Sequence, residues 1–61
     1  MVYKKLKVTA VVPVYNEEKT VGNVLNVLTL SDRINEVVVV NAGSTDNTPN
    51  IIKKFKVKII N

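Results

Sequence analysis

Apolar and polar residues form alternating blocks along this chain, and the blocks predict three strands separated by two helices. Residues 8–12 read Val-Thr-Ala-Val-Val, an almost continuously apolar and mostly β-branched run. Such a run is typical of a strand that is buried on both faces. Four consecutive valines, Val37 to Val40, predict a second buried strand, and residues 57–60 predict a third. Pro13 is expected to end the first strand.

The first helix is predicted between the first two strands. Asn16 is a suitable N-cap, and Glu17 and Glu18 would lie in the first turn, where the helix dipole favours acidic side chains. Gly22 is the weak point of this helix, because glycine is a poor helix former. The apolar residues that recur at helical spacing are Val21, Val24, Leu25 and Leu28.

The second helix is predicted to begin at Thr48, which would be the N-cap, with Pro49 at the first helical position. The lysines that follow, Lys53 and Lys54, would point outward. The inner face of this helix is expected to consist of Ile51, Ile52 and Phe55.

The order strand, helix, strand, helix, strand predicts an α/β fold. With right-handed crossovers it gives a three-stranded parallel sheet of order 3-2-1 with two crossover helices, the front half of a doubly wound, Rossmann-like domain. We expect residues 1–61 to form a single βαβαβ half-domain. The chain stops in an apolar strand, so we expect it to be a fragment of a larger domain.

Composition narrows the class of protein. The chain has 61 residues and neither Cys nor His, so disulfides and Cys/His metal sites cannot support its small core, and self-association is the remaining means. The net charge of +4 comes from lysines near both ends. These lysines could attract phosphate, nucleic acid or anionic lipid, or they could form a solvated rim that protects the sheet edges. The solvated rim is favoured, since no Arg-rich tract or interleaved aromatics accompany the charge.

No apolar run approaches the roughly 20 residues that a membrane helix needs. The basic start, Met1 to Lys7, leads into an apolar run that meets Pro and Glu, without the small-residue cleavage site of a signal peptide. We therefore expect a soluble, cytoplasmic chain with no stable membrane insertion.

Polar and turn-forming residues follow the first two predicted strands. They read Pro-Val-Tyr-Asn-Glu-Glu at residues 13–18 and Asn-Ala-Gly-Ser-Thr-Asp at residues 41–46. Open α/β sheets bind ligands at the carboxyl ends of their strands, so these two segments are expected to form one site. The phosphate-binding patterns Gly-x-Gly-x-x-Gly and Gly-x-x-x-x-Gly-Lys-Ser/Thr are absent, which argues against a dinucleotide dehydrogenase and a P-loop nucleotidase.

In this order and at this spacing the two segments resemble the amino-terminal third of the inverting family-2 glycosyltransferases, which have the GT-A fold. The resemblance runs from about Val8 to Phe55 and implies a segment that binds the nucleotide of a UDP- or GDP-sugar. In that family an Asp-x-Asp motif and a catalytic base lie farther along the chain, and this sequence contains neither. We therefore expect no catalytic residue and no cofactor here, with a divalent Mg or Mn ion only in a full-length parent, and no activity from the chain alone.

The resemblance assigns nucleotide-binding roles to four residues of the first segment. Pro13 and Val14 would shape the turn beside the base, and Tyr15 would lie against the uracil or guanine ring. Glu17 would face the nucleotide from the start of the helix. The alternatives are that Tyr15 packs on its own helix and that Glu17 caps the helix dipole.

Four residues of the second segment receive corresponding roles. Asn41 stands where the family usually has Asp, and its amide oxygen would accept a weaker hydrogen bond from the base, because a charged acceptor bonds roughly twice as strongly. Gly43 would supply a backbone conformation closed to other residues. Ser44 and Asp46, with Thr45 between them, would contact the ribose side or simply cap the second helix.

Two other classes of function are compatible with the sequence. The chain could be a non-catalytic α/β module that self-associates, since a first strand at the sheet edge would expose unpaired backbone and apolar side chains over residues 8–12. A homo-oligomer joined through that strand would cover both. A basic nucleic-acid binder is the third possibility, and we expect no nucleic-acid partner.

Overall fold

Three parallel strands and two helices make up the fold in the computed structural model, which describes residues 7–61. The strands pair in the order β1-β2-β3, so β2 is central and β1 lies at an edge of the described sheet. The predicted α/β class, sheet order and crossover helices are confirmed. Residues 1–6, which include most of the basic start, lie outside the described residues. The elements are β1 (Thr9–Val14), α1 (Val21–Leu30), β2 (Glu36–Asn41), α2 (Thr48–Ile52) and β3 (Lys58–Ile60).

The helices cover one face of the sheet and leave the other open. Val12, Val39 and Ile59 lie side by side across the three strands, and Val39 is fully buried. Val11 and Val38 are paired on the opposite face, where Val11 is 64% exposed. The prediction that the first strand is buried on both faces is therefore wrong. Two right-handed crossovers that run in the same direction place both helices on one side of the sheet.

The core lies between the helices and the covered face of the sheet. Each helix contributes buried side chains to it: Val21 and Leu25 from α1, and Thr48 and Ile52 from α2. The predicted helical spacing is confirmed for Val21 and Leu25, which are buried. Leu28 is partly buried and packs against the core. Val24 lies at the margin of the core and is 43% exposed. The buried apolar side chains of the described residues are Val14, Val21, Leu25, Val37, Val39 and Ile52.

The first strand and the first helix begin and end at different residues from those predicted. Pro13 does not end β1 but pairs with Val40 inside it. An edge strand tolerates proline because it needs no outward-facing N–H donor. Asn16 is not an N-cap either, since its φ of 48° lies in the left-handed region. The helix begins at Val21 with Thr20 as N-cap, so the acidic residues at positions 17 and 18 precede its first turn.

The second helix is shorter than predicted. Its N-cap is Asn47, so Thr48 is the first helical residue instead of the cap, and Pro49 is the second helical residue instead of the first. Phe55 lies beyond the end of α2 at Ile52, yet it still packs against the core. No helix within residues 7–61 has the length and apolar character needed to span a bilayer.

Candidate functional site

The two polar segments meet at the carboxyl end of the sheet. We call residues 15–20, which connect β1 to α1, the first loop, and residues 42–47, which connect β2 to α2, the second loop. Val14 and Asn41 are register partners at the ends of their strands. The Ala42 N–H donates to the Val14 carbonyl at 3.0 Å, which continues the sheet by one further bond. The two loops therefore lie side by side, as the parallel topology predicts.

Asn16 makes the most extensive link between the loops. Its side-chain Oδ1 accepts hydrogen bonds from the backbone N–H groups of Thr45 at 2.7 Å and Asp46 at 3.3 Å. In return, the Asn16 N–H donates to Ser44 Oγ at 3.0 Å. One residue of the first loop is thus bonded to three consecutive residues of the second.

Thr48 and Asp46 make a second link, closer to the core. The Glu17 N–H donates to Thr48 Oγ1 at 2.8 Å, and the Thr48 side chain is fully buried. Asp46 Oδ1 accepts from the Thr48 N–H at 2.9 Å, while Asp46 Oδ2 accepts from the Glu18 N–H at 3.3 Å. These bonds attach the start of α2 to the first loop.

Asp46 is held in its ionised form by this arrangement. Desolvation raises the pKa of its carboxyl, but the hydrogen bonds from the hydroxyl and N–H of Thr48 and from the Glu18 N–H outweigh it. The net result is a pKa for Asp46 below its ordinary value. One of its oxygens accepts from the first turn of α2 and the other from the first loop, so Asp46 connects the two.

The predicted residues of the first segment occupy different environments. Tyr15 is 58% exposed, so its ring is available to a ligand. The Glu17 carboxylate is exposed and accepts a hydrogen bond from the Thr20 hydroxyl at 3.2 Å. Pro13 lies exposed on the open face of the sheet, whereas Val14 is buried in the core at the end of β1.

The predicted residues of the second segment form a turn above the end of β2. Asn41 Oδ1 accepts from the Ser44 N–H at 3.1 Å, and its Nδ2 donates to Asn61 Oδ1 at 3.2 Å. Gly43 has a φ of +80°, a conformation that side-chain-bearing residues rarely adopt. A Cβ atom at Gly43 would have no atom within 4 Å, so the space beside this turn is open.

Two residues that build the site, Asn16 and Thr48, were not among the predicted binding residues. The sequence predicts both as helix N-caps. Asparagine is enriched among residues with positive φ, so the identity of Asn16 was a usable signal for its backbone conformation. No local signal indicates that the Thr48 hydroxyl would accept a hydrogen bond from a residue 31 positions earlier.

The side chains at these loops do not suit a divalent cation. Among residues 7–61 no group of three or more His, Cys, Asp or Glu side chains is placed to hold a metal ion. The Asp46 oxygens already accept backbone N–H groups, and the Glu17 carboxylate accepts a hydroxyl.

A separate concavity lies at the opposite end of the sheet. Its volume is about 520 Å³, and it is lined by the end of α1 and by residues near the starts of β2 and β3, including Leu28, Glu36 and Lys58. Ligands of open α/β sheets bind at the carboxyl ends of the strands, which favours the two loops over this concavity.

Comparison with known proteins decides the family. The profile of glycosyl transferase family 2 matches residues 9–61, which is most of the chain. The chain belongs to glycosyl transferase family 2. The resemblance inferred from the two polar segments is thereby confirmed, and the first and second loops are the strand-end loops of a family-2 glycosyltransferase segment.

Relatives of this family-2 chain include the poly-beta-1,6-N-acetyl-D-glucosamine synthases of Staphylococcus aureus strains COL and N315. Each is 40% identical to it over 50 residues. The match covers 80% of this chain but only 12% of each synthase, so the chain spans about an eighth of their length. No solved structure matches the chain significantly.

Proposed function

We propose that the first and second loops form the nucleotide-binding part of a donor site for a UDP- or GDP-sugar. The observation that carries the proposal is the hydrogen-bonded junction of the two loops, which holds them together and leaves the Tyr15 ring exposed beside it. An exposed aromatic next to fixed polar groups is suited to a nucleobase, which needs a stacking surface and a hydrogen-bonding edge. The cytoplasmic location expected from the sequence remains part of this proposal.

Each loop would supply a different kind of contact. Tyr15 would stack on the base. Asn41 Oδ1 uses one lone pair for the Ser44 N–H, and its second lone pair is available to an N–H of uracil or guanine. The open space beside Gly43 would let the nucleotide approach the backbone closely. Ser44 and Asp46 would then face the ribose side.

We further propose that residues 1–61 bind the donor without transferring its sugar. Inverting transfer needs a base for the acceptor hydroxyl and a cation for the leaving diphosphate. The carboxylates of Glu17 and Asp46 are both engaged in hydrogen bonds that build the loops. The name of the relatives specifies a polymer of N-acetyl-D-glucosamine, so N-acetylglucosamine is the first donor sugar to test.

Nuclear magnetic resonance titration of the ¹⁵N-labelled chain tests the proposal. UDP, GDP and UDP-N-acetylglucosamine are added to millimolar concentration, and shifts are expected at Tyr15, Asn41 and Gly43 but not at Val37. Replacing Tyr15 by Ala should weaken binding roughly tenfold, since stacking of a base on an aromatic ring contributes about 1–3 kcal/mol, whereas Tyr15→Phe should bind like wild type. A titration without shifts in the two loops would exclude nucleotide binding by this chain.

Self-association through β1 is a second candidate function. The observation that favours it is the position of β1 at the edge of the described sheet, with Val11 of its open face 64% exposed. Natural proteins protect such edges, and pairing with a second copy is one way to do so. This candidate is compatible with nucleotide binding, because the loops lie at the end of the strands and not on the open face.

A further inference from the structure

We propose that Asn16 is the positioning residue of the nucleotide site, holding the second loop in the shape that receives the base. The inference rests on the proposed function and deepens it. Asn16 was expected only to begin a helix, and the family assignment by itself gives it no role.

Three donors of the second loop converge on one atom of Asn16. The Oδ1 atom accepts from the Thr45 N–H at 2.7 Å, from the Asp46 N–H at 3.3 Å and from the Thr45 hydroxyl at 3.4 Å. The Asn16 N–H adds a bond to Ser44 Oγ at 3.0 Å. Residues 44–46 are thereby fixed to the first loop.

The second loop depends on these bonds because it has no regular structure of its own. Residues 42–47 belong to neither a helix nor a strand, and the left-handed Gly43 lies at their start with open space beside it. The internal bond from the Ser44 N–H to Asn41 Oδ1 fixes only the first half of the turn. In the second half, the Asp46 carboxylate is bonded to the Glu18 and Thr48 N–H groups, and Asn16 supplies the bonds to the backbone of Thr45 and Asp46 and to Ser44 Oγ. Asn16 therefore acts on the ligand through residues 44–46.

Asparagine meets both requirements of this position. The φ of 48° is a left-handed conformation that asparagine, aspartate and glycine adopt more readily than other residues. The side chain must also present an acceptor to two backbone N–H groups, which glycine cannot do and aspartate can. Asn16→Gly therefore removes the acceptor while keeping the backbone conformation, and Asn16→Asp keeps both.

The experiment compares wild type, Asn16→Gly and Asn16→Asp as the 61-residue chain. Affinity is measured for UDP and for uridine. Uridine has no phosphate, so its binding is free of repulsion between a phosphate and the new carboxylate of Asn16→Asp. Amide hydrogen exchange is followed at Thr45, Asp46 and the core residue Val39. We expect Asn16→Gly to bind uridine at least tenfold more weakly and to exchange faster at Thr45 and Asp46, with Val39 unchanged, and Asn16→Asp to restore both.

The outcomes separate this inference from the proposed function. If wild type binds neither ligand, the proposed function fails. If wild type binds and Asn16→Gly binds equally well despite faster exchange, Asn16 is a structural residue only and the inference is overturned. If Asn16→Gly unfolds, Asn16→Asp decides whether the inference holds. The charged acceptor of Asn16→Asp must then slow amide exchange at Thr45 and Asp46, and the variant must retain the affinity for uridine. Failure of either requirement overturns the inference.

Discussion

The buried hydroxyl of Thr48 accepts a hydrogen bond from the Glu17 N–H at 2.8 Å, which joins the first residue of α2 to the first loop. The two residues are 31 positions apart, and they bring together the two strand-helix units at the end where the proposed ligand binds. Thr48 is the one polar side chain that is buried among the described residues. The stability of the fold and the shape of the site therefore depend on the same bond.

Thr48→Val tests this dependence. Valine has the shape of threonine but leaves the Glu17 N–H without its acceptor, which should lower the free energy of unfolding by roughly 1–3 kcal/mol. Urea unfolding followed by circular dichroism measures the change. Thr48→Ser, which keeps the hydroxyl, is the control and should lose less stability. Equal stability of Thr48→Val and wild type would show that water replaces this bond at no cost.

Asn41→Asp should strengthen binding of the base. A carboxylate at this position still accepts a hydrogen bond from the Ser44 N–H. It also offers the base a charged acceptor, whose hydrogen bond should contribute about 1 kcal/mol more to binding than that of a neutral acceptor, or about fivefold in affinity. Uridine is the ligand to titrate, because it excludes repulsion between the new charge and a diphosphate. Asn61→Ala is the control for the bond from Asn41 Nδ2 to Asn61, which the substitution also removes. Weaker uridine binding by Asn41→Asp would contradict the proposed contact.

Gly22→Ala should stabilise the protein. Gly22 is the second residue of α1, and a Cβ there would lie 3.6 Å from Ile51 Cγ2, an ordinary van der Waals distance. Because alanine is the better helix former, thermal unfolding should show a gain of about 0.5–1 kcal/mol. Gly43→Ala is the contrasting variant. Because residue 43 has a positive φ, alanine there should lower the free energy of unfolding by about 1–2 kcal/mol, although a Cβ would have no atom within 4 Å. Destabilisation by Gly22→Ala would mean that α1 and α2 pack more closely than this distance indicates.

Asp46 should make the stability of the fold sensitive to acid. Its folded-state pKa lies below the unfolded value, so its contribution is present above the unfolded pKa of about 3.9 and is lost as the pH falls through the folded pKa. Asp46→Asn should lower stability at neutral pH and flatten the pH dependence of the free energy of unfolding below about pH 5.

Urea unfolding at a series of pH values measures the effect of Asp46. Asp46→Ser is the matched variant, because it retains an acceptor for the Thr48 N–H without a titrating group. It should recover part of the stability at neutral pH and remain insensitive to acid. If the free energy of unfolding of Asp46→Asn falls as steeply with acid as that of wild type, the acid sensitivity belongs to other titratable groups.

The sequence allowed the order of elements to be predicted because the relevant signals are local. The valine runs around Val12 and Val39 are apolar enough to define strands, and the spacing of Val21 and Leu25 defines α1. The family could be predicted for the same reason, since each polar segment follows a recognisable strand. The adjacency of the two loops then followed from the parallel topology.

The details that were not predicted depend on contacts between distant residues. The Asn16 side chain accepts two N–H groups of the second loop, and nothing near Asn16 in sequence indicates those donors. The open face of the sheet could not be predicted either, because the valines of β1 have the pattern of a strand that is covered on both faces. Whether Val11 is covered depends on which side the helices lie.

The open face leads to the last prediction, that the chain associates through β1. Sedimentation at micromolar concentration should show a dimer, because β1 presents an unpaired edge and Val11 is 64% exposed beside it. Val11→Lys should give a monomer, since a lysine on an edge strand opposes pairing with another copy. Val27→Lys is the matched control: Val27 of α1 is 70% exposed, so its replacement adds the same charge away from the sheet and should leave the dimer intact. A wild-type monomer, or a monomer in both variants, would place any association elsewhere than at β1.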